Sequence, residues 1–290
     1  MTVSATALSK PSPFDALAST YDRLFTDSLI GRAQREAVWR KLRTVFKRGS
    51  RILEINCGTG ADAVFLAKLG VRVLATDSSA SMIAVSQQRI EQNSLQEWVS
   101  TRQLAIEELA QVRSEAPFDG LLSNFGGLNC VRNLEMGAKD LAGLLKPASP
   151  AILCLMGPWC AWEIVYYLSR LQPAKALRRM RRDGACVRLR NFQGSPDHTP
   201  TVSKSERLSE NEPVQVYYPT VAQLERAFAP HFRLRSSQAI GLIIPPSYLE
   251  PWIARHPRFL SLAATFDAYV GHWPGLRNLG DHNLVEMEMV

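Results

Sequence analysis

The sequence has no long hydrophobic run, no internal repeat and no low-complexity tract. A membrane-spanning helix needs roughly 18 or more consecutive apolar residues, and no segment approaches that length. The opening residues, MTVSATALSKPSP, lack the apolar core of a secretory signal peptide. Hydrophobic residues make up 46% of the 290 positions and charged residues 21%, which excludes a disordered chain and allows a sizeable core. We therefore expect a globular protein that is not integral to a membrane.

The five cysteines are too few and too irregularly spaced to form a disulfide framework. An odd number without paired spacing is typical of a reduced protein, so we expect a cytoplasmic location. Cys57, Cys130 and Cys160 each follow a predicted strand, but no C-x-x-C spacing indicates a metal ligand set. We expect no metal site.

The net charge of +7 is concentrated in two segments. Residues 32–51 contain eight basic side chains and one acidic one, and residues 160–190 contain eight and two. Two local basic surfaces indicate nucleic-acid binding less strongly than a uniformly basic domain would. We therefore do not expect a nucleic-acid partner, and the oligomeric state is left open.

Strand patterns alternate with helical patterns along most of the chain. Such alternation predicts βαβ units and an α/β fold with a doubly wound, mostly parallel sheet. Thr220 and Gln223 have capping-box spacing and predict the start of a late helix. Seven segments are predicted strands: RILEI, VRVLATD, VSTRQL, FDGLLSN, AILCLM, FRLRSSQAIGLII and HNLVEMEM.

The segment ILEINCGTGADAVFLA reads as a strand, a tight glycine turn and a helix. Gly58 and Gly60 allow the backbone to approach a ligand closely, and the helix N-terminus offers free N–H groups there. Asp77 ends the next strand, 19 residues after Gly58, where its carboxylate can accept hydrogen bonds from ribose hydroxyls. Together these features predict a cofactor that contains adenosine.

Two classes of cofactor compete for this turn. Gly58, Gly60 and Ala63 fit a relaxed form of the G-x-G-x-x-A pattern of nicotinamide dinucleotide enzymes. However, Asp62 lies in the first helical turn, where a pyrophosphate would be repelled, and Glu54 adds negative potential. A cationic cofactor without phosphate, S-adenosylmethionine, suits these acids better. An NAD(P)-dependent oxidoreductase remains the alternative.

Four segments, in chain order, resemble the motifs of class I S-adenosylmethionine-dependent methyltransferases. They are ILEINCGTG, VLATDSSASMI, FDGLLSN and LLKPASPAILCL, and they extend the resemblance over roughly residues 14–156. FDALASTYDRLF resembles the N-terminal lid helix of the ubiquinone/menaquinone-type branch. The resemblance implies a seven-stranded, Rossmann-like methyltransferase fold with helical lid insertions. It also implies methyl transfer that releases S-adenosylhomocysteine.

The resemblance also assigns residues to the cofactor. Glu54 would hold the amino group of the cofactor, Asp77 the ribose and Met82 the adenine, while Asn124 would line the methyl-transfer end. Asn56 replaces the first glycine of the family motif, and an alanine stands at position 105, where many members have an acid. Adenine recognition is then left to Ile106 and Glu107. The full expected cofactor set is Tyr21, Glu54, Asn56, Gly58, Gly60, Asp62, Asp77, Ser78, Met82, Ile106, Glu107 and Asn124.

The division that we predict has four parts. Residues 1–48 form N-terminal lid helices, 49–157 the cofactor-binding core, 158–215 an acceptor-side lid insertion, and 216–290 the rest of the sheet with a second helical insertion at 245–280. Both insertions follow strands that end at the carboxyl edge, where open α/β sheets bind ligands.

The acceptor is expected to be a small, aromatic or hydrophobic molecule with an O, N or C nucleophile. His282, at the start of the last, antiparallel strand, is the candidate base, and Asp281 would orient it. The fourth-strand sequence SNFGGLN lacks the N-P-P-[YF] pattern of many base-modifying methyltransferases. The residues expected to bind the acceptor are Phe125, Asn129, Trp159, Trp162, Tyr166 and Tyr217.

The basic segment Arg170–Arg182 allows three interpretations. It is a lid with a solvated outer face, a membrane-surface helix or an anion-binding wall, and the first is preferred. Peripheral membrane contact is therefore left open. A catalytically inactive, cofactor-binding regulatory protein is the third hypothesis for the whole chain.

Overall fold

The computed structural model describes residues 12–181, 183–188 and 213–290. The strands of its main sheet are β1 Arg51–Ile55, β2 Arg72–Asp77, β3 Val99–Gln103, β4 Gly120–Ser123, β5 Pro150–Met156, β8 Phe232–Ile240 and β9 His282–Met289. These seven strands lie in the order β3-β2-β1-β4-β5-β9-β8. The first five strands pair in parallel, and β9 runs antiparallel to both β5 and β8. The predicted α/β class, with a doubly wound and mostly parallel sheet, is confirmed.

The helices flank this sheet and form the insertions. A small second sheet pairs β6, Ala185–Arg188, with β7, Pro213–Val216. Among the described residues, no helix is long and apolar enough to cross a bilayer. The helices are α1 Ala18–Tyr21, α2 Leu29–Val45, α3 Ala61–Lys68, α4 Ala80–Gln92, α5 Leu134–Ala142, α6 Ala161–Ser169, α7 Pro173–Ala176, α8 Val221–Phe228, α9 Glu250–Arg255 and α10 Pro257–Val270.

Helix ends follow the capping residues in the sequence. The hydroxyl of Ser28 accepts a hydrogen bond from the Gly31 N–H at the start of α2, and Ser79 does the same for Met82 at the start of α4. The predicted capping box is confirmed, because Thr220 and Gln223 exchange side-chain and backbone hydrogen bonds at the start of α8.

The central strands are buried on both faces, as parallel strands require. In β1, Leu53 and Ile55 pack toward a core that includes α5 and α8, whereas Ile52 packs toward α2 and α3. This is why RILEI reads as a nearly continuous apolar run. Glu54, at 1% exposure, is the exception within that run.

Two predicted elements are shorter than expected. The strand FRLRSSQAIGLII ends at Ile240, because Gly241 adopts a φ of +72° and the Asp267 carboxylate accepts the backbone N–H groups of residues 242–244. The basic segment after Arg170 forms only α7 and a short turn at Arg178–Met180. The polar stretch at 189–212 lies outside the described residues.

The carboxyl ends of β1 and β4 mark the point where strand order reverses. Here β1 pairs with β2 on one side and β4 on the other. Open α/β sheets bind ligands at such a switch point. The glycine turn after β1 lies at this position.

Candidate functional site

The turn between β1 and α3 uses left-handed backbone at three positions. Asn56, Gly58 and Gly60 have φ values of 56°, 54° and 74°. A Cβ built on Gly58 meets nothing within 4 Å, whereas one on Gly60 would lie 2.2 Å from the Ser86 hydroxyl. Gly58 therefore borders open space, and Gly60 allows α4 to pack closely. Asparagine tolerates left-handed angles better than most residues, which explains Asn56 at a glycine position.

The Asp77 carboxylate braces this turn. One oxygen accepts the N–H of Gly58 at 2.9 Å, and the other accepts the N–H of Ser79 at 2.9 Å. Burial raises the pKa of Asp77, and the two backbone hydrogen bonds oppose that shift. Each carboxylate oxygen has more than one acceptor site, so Asp77 can also accept from a ligand.

Glu54 is the most unusual group at this edge. Its side chain is buried, and neither carboxylate oxygen has a hydrogen-bond partner. Burial raises the pKa of Glu54 well above its usual value, and nearby Asp62 adds to the shift while Arg35 opposes it. A buried carboxylate without partners is costly, so this position favours a cationic ligand. We call residues 54–62 together with Asp77 the cradle.

Asp62 is held by protein groups. Its carboxylate accepts hydrogen bonds from Arg35 at 2.6 Å, Trp39 at 2.6 Å and Asn124 at 2.9 Å. Arg35 and Asp62 form a buried ion pair, so Arg35 balances the charge of Asp62. In this structure Asp62 joins α2 and β4 to the turn. The sequence reasoning missed Arg35 and Trp39, although their spacing of four residues places them on one face of α2.

Phe125 follows β4 and contacts both Arg35 and His282. Its backbone has a left-handed φ of 48°, and its N–H donates to the Asn124 side chain at 2.9 Å. The Arg35 guanidinium lies 4.7 Å from the centre of the Phe125 ring. On the other side, the His282 ring meets Phe125 edge-on, with 5.3 Å between centroids.

The N-terminal segment, residues 12–28, lies over the cradle. Asp22 accepts a hydrogen bond from Thr59 at 2.7 Å and pairs with Arg89 of α4. Asp15 accepts the Ser79 hydroxyl at 2.5 Å. Burial raises the pKa of the Tyr21 hydroxyl. Arg35 opposes this shift, and Asp62 and Asp77 add to it. The segment expected to be a lid is therefore anchored to the cradle and to α4.

The remaining residues of the expected cofactor set differ in their burial. Met82 is buried against Leu17 of the N-terminal segment. Ile106 is buried, whereas Ser78 and Glu107 are exposed. Their predicted contact with the cofactor stays a prediction.

Residues 52–148 match the family model described as "Methyltransferase domain". This part of the chain is therefore similar to known methyltransferase domains. The matched residues include β1, the cradle and β4, which are the segments on which the motif resemblance depended.

Known proteins that are similar to this chain include several methyltransferases. It is 31% identical over 143 residues to a demethylmenaquinone methyltransferase of Clavibacter sepedonicus, covering 49% of this chain and 55% of that protein. The chain thus spans about half the length of the curated relatives it matches. The CcbJ methyltransferase of Streptomyces caelestis superposes with a TM-score of 0.60 at 14% identity, covering 97% of this chain and 98% of that one.

A second solved structure is the geranyl diphosphate C-methyltransferase of Streptomyces coelicolor A3(2). Its TM-score is 0.51 at 12% identity, covering 88% of this chain and 79% of that chain. It was solved in complex with Mg²⁺, geranyl diphosphate and S-adenosyl-L-homocysteine. At such identities, the two solved structures establish the fold alone.

His282, the candidate base, is buried beside an ion-pair network. His282 Nδ1 lies 3.4 Å from Asp281 Oδ2. The other Asp281 oxygen accepts a hydrogen bond from Arg179 at 2.8 Å, and Arg179 also pairs with Glu163 of α6. Burial lowers the pKa of His282, and Arg179 lowers it further against the opposing effect of Asp281. The lowered pKa favours the neutral form of the His282 imidazole.

The six residues expected to bind the acceptor are not gathered in one place. Asn129 is fully buried. Its amide nitrogen donates to the carbonyls of Met156 and Tyr217, and its amide oxygen accepts the N–H of Met156. It ties the loop after β4 to β5 and to the segment after β7. Sequence alone did not indicate this, because the partner carbonyl of Tyr217 is 88 positions away.

The aromatic residues of the first insertion contact the second insertion. Trp162 donates to the carbonyl of Ile243 at 3.0 Å, and the Tyr166 ring lies 4.9 Å from Tyr248. Trp159 is 44% exposed. Of the expected acceptor residues, only Phe125 has a described contact with His282.

The thiol near this network is not activated. Burial raises the pKa of Cys160 to about 12. Within the described ranges, no group of three or more His, Cys, Asp and Glu side chains is placed to share a metal ion.

Proposed function

We propose that this protein transfers a methyl group from S-adenosylmethionine to a small organic acceptor and releases S-adenosylhomocysteine. The observation that carries the proposal is the buried, unpartnered carboxylate of Glu54 beside an open glycine turn. The methyltransferase family model supports it.

The unfilled polar groups of the cradle fit an amino-acid zwitterion. Glu54 has two free carboxylate oxygens, and the buried Nε of Arg35 also lacks a hydrogen-bond partner. The two side chains are close enough to shift each other's pKa. An ammonium group would satisfy Glu54 and a carboxylate would satisfy Arg35. Asp77 would accept from ribose hydroxyls while keeping its backbone hydrogen bonds.

Discrimination against a dinucleotide rests on Glu54 rather than Asp62. Arg35 neutralises Asp62, so Asp62 alone would not repel a pyrophosphate. Glu54 has no such counterion in direct contact and would be destabilised further by a nearby phosphate. The oxidoreductase alternative therefore predicts binding of NADH despite this charge.

The bound cofactor would supply an electrophilic methyl group on a sulfonium centre, whose displacement leaves a neutral thioether. Positioning donor and acceptor in line can contribute on the order of 7–11 kcal/mol. The neutral His282 imidazole would accept a proton from a hydroxyl or amine acceptor, and Asp281 would orient the ring. A carbon nucleophile that carries no acidic proton would not need this base.

We infer that the acceptor is aromatic or hydrophobic. Phe125 lies between Arg35 and His282, where an apolar ring would find a packing surface next to the base. Tyr166 and Trp162 would extend that surface if the insertions part. All five thiols are free, which supports a cytoplasmic location.

Titration calorimetry with S-adenosylhomocysteine and with NADH tests the cofactor. We expect binding of S-adenosylhomocysteine only, and a loss of roughly tenfold or more in affinity for Glu54→Gln, since it removes a charged hydrogen-bond acceptor. Glu97→Gln, at an exposed position, is the matched control and should bind like the wild type. Binding of NADH alone, or equal affinity in Glu54→Gln, would contradict the proposal.

Mass spectrometry with S-adenosylmethionine and a panel of phenols, amines and quinones then tests the reaction. A methylated product that disappears in Glu54→Gln supports catalysis. Tight cofactor binding without methylation of any member of the panel favours the regulatory alternative.

A further inference from the structure

Exposed apolar side chains are concentrated in the two insertions. Of the 14 large hydrophobic side chains that are exposed in the described part of the chain, 11 lie within residues 158–181 and 245–280. Large contiguous apolar patches on a protein surface mark interaction sites. They are Trp159, Val165, Leu168, Leu171, Leu177, Tyr248, Trp252, Leu262, Phe266, Tyr269 and Trp273.

Helix α10 shows the pattern most clearly. Leu262, Phe266 and Tyr269 are 62%, 54% and 65% exposed, and their spacing of four and three residues puts them on one stripe. The opposite face carries buried Ala263, which packs in a cluster with Ile30 of α2. A surface helix normally has a polar outer face. Helix α10 differs, because it has apolar side chains on its exposed face as well as on its buried face.

The first insertion repeats the feature. On α6, Val165 and Leu168 are 64% and 48% exposed, three positions apart. Leu171 follows with a left-handed φ of 56° and 89% exposure. These apolar side chains are therefore largely exposed to solvent in the described part of the chain.

The acidic side chains of these two segments are all used internally. Glu163 pairs with Arg178 and Arg179. Glu250 accepts the N–H groups of Leu29 and Ile30, and Asp267 accepts those of residues 242–244. The exposed charged side chains of residues 158–181 and 245–280 that pair with no acid are therefore positive: Arg170, Lys175, Arg181, Arg255, Arg258 and Arg277.

We propose that residues 158–181 and 245–280 form a docking surface for an anionic lipid bilayer. Aromatic and aliphatic side chains enter the headgroup region, while flanking arginines meet anionic headgroups. A second copy of the chain would bring like charges together, so charge complementarity favours the bilayer over self-association. The proposal stands independently of the reaction.

The position of this surface differs from the sequence expectation. A membrane-surface helix was one interpretation of Arg170–Arg182, yet Arg179 is buried and pairs with Glu163 and Asp281. Arg178 also pairs with Glu163, and residue 182 lies outside the described chain. The structure shifts the main apolar stripe to α10.

Co-sedimentation with vesicles tests the proposal. The full chain should bind vesicles of equal parts phosphatidylcholine and phosphatidylglycerol, and bind pure phosphatidylcholine far more weakly. Since salt screens the attraction, binding should fall steeply as ionic strength rises toward 1 M, where the Debye length is about 3 Å. Failure of the wild type to bind the mixed vesicles would overturn the proposal.

Two triple variants test the two components. Leu262→Ser/Phe266→Ser/Tyr269→Ser should lower vesicle partitioning roughly 100-fold, because three apolar anchors are lost. Arg255→Gln/Arg258→Gln/Arg277→Gln should lower it by a similar factor, since each basic residue contributes about fivefold. Circular dichroism melts identical to wild type establish that both variants fold.

Matched controls lie away from the insertions. Met136→Ser changes a side chain that is 57% exposed on α5, and Lys68→Gln/Arg113→Gln/Arg226→Gln removes three exposed charges. Neither should change binding by more than about twofold. Equal losses in the controls, or a wild-type dimer that the apolar triple variant converts to monomer in light scattering, would contradict a bilayer docking surface.

Discussion

Glu54 is a residue whose position costs the free protein stability. Its carboxylate is buried in β1 without hydrogen-bond partners, while the neighbouring Asp62 is fully paired. The contrast between two acids eight positions apart shows which one is available to a ligand. It also makes the pH dependence of stability informative.

We predict that Glu54→Gln raises the melting temperature of the ligand-free protein at pH 8. The pKa of Glu54 is raised in the folded state. As pH rises, the unfolded chain therefore loses this proton at a lower pH than the folded protein does. Stability is therefore lost as pH rises from the unfolded pKa, about 4.3, toward the higher folded pKa. The amide of the variant cannot ionise, so we expect a gain of roughly 2 °C or more at pH 8.

Differential scanning calorimetry between pH 4 and pH 8 measures this. The melting temperatures of the two proteins should converge near pH 4, and Glu97→Gln should follow the wild type throughout. A variant that is less stable than wild type at pH 8 would mean that the carboxylate has a stabilising partner.

At the scale of elements, Arg179 is one of the side chains that attach the first insertion to the start of β9. Arg179 donates to the Asp281 carboxylate at 2.8 Å and to the Asp281 carbonyl at 3.0 Å, and it pairs with Glu163 of α6. Asp281 directly precedes β9 and also faces His282. The docking of α6 is thereby coupled to the charge environment of the candidate base.

We predict that Arg179→Gln raises the pKa of His282. The guanidinium disfavours a charged imidazole, and without it Asp281 would be free to stabilise that charge. In the wild type, the lowered pKa means that stability falls as pH drops through about 6.5, the unfolded value, because only the unfolded chain then takes up the proton. The acid-side loss should be shallower in the variant.

NMR titration of labelled histidine, assigned with His282→Gln, measures the shift. Arg179→Lys keeps the positive charge and should hold the pKa of His282 closer to that of the wild type. An unchanged or lower pKa in Arg179→Gln would show that Arg179 is only a structural tether.

On the scale of the whole molecule, the carboxyl edge carries two different covers. The N-terminal segment is anchored over the cradle by Asp15 and Asp22, whereas the insertions meet each other beside His282. The N-terminal segment contacts the glycine turn directly. We therefore expect a ligand in the cradle to change the stability of this segment more than that of the insertions.

We predict that S-adenosylhomocysteine slows amide hydrogen exchange in residues 12–28 and 54–62 and leaves α10 unchanged. Ligand binding stabilises the regions that close over it, and α10 has no described contact with the cradle. Exchange measured by mass spectrometry, with NADH as the control ligand, gives the comparison. Uniform slowing across the chain, or none in residues 12–28, would contradict this arrangement.

Much of the fold could be predicted because its signals are local. The glycine turn, the strand that ends in Asp77 and the capping box at Thr220 each depend on residues within a few positions of one another. The cradle was predicted from the same pattern, and the placement of Glu54 in a buried strand followed from its apolar neighbours. The protein partners of Asp62 and Asn129 were not predicted, because those partners come from other elements.

By itself, the sequence determined the order of strands and helices, the left-handed turn and the acids that border it. Only the tertiary structure decided which charges are neutralised and which remain free. Arg35 reaches Asp62 across 27 positions, and Arg179 reaches Asp281 across 102. Such pairs depend on how distant segments pack, since burial and counterions, rather than residue type, set the charge that a ligand meets.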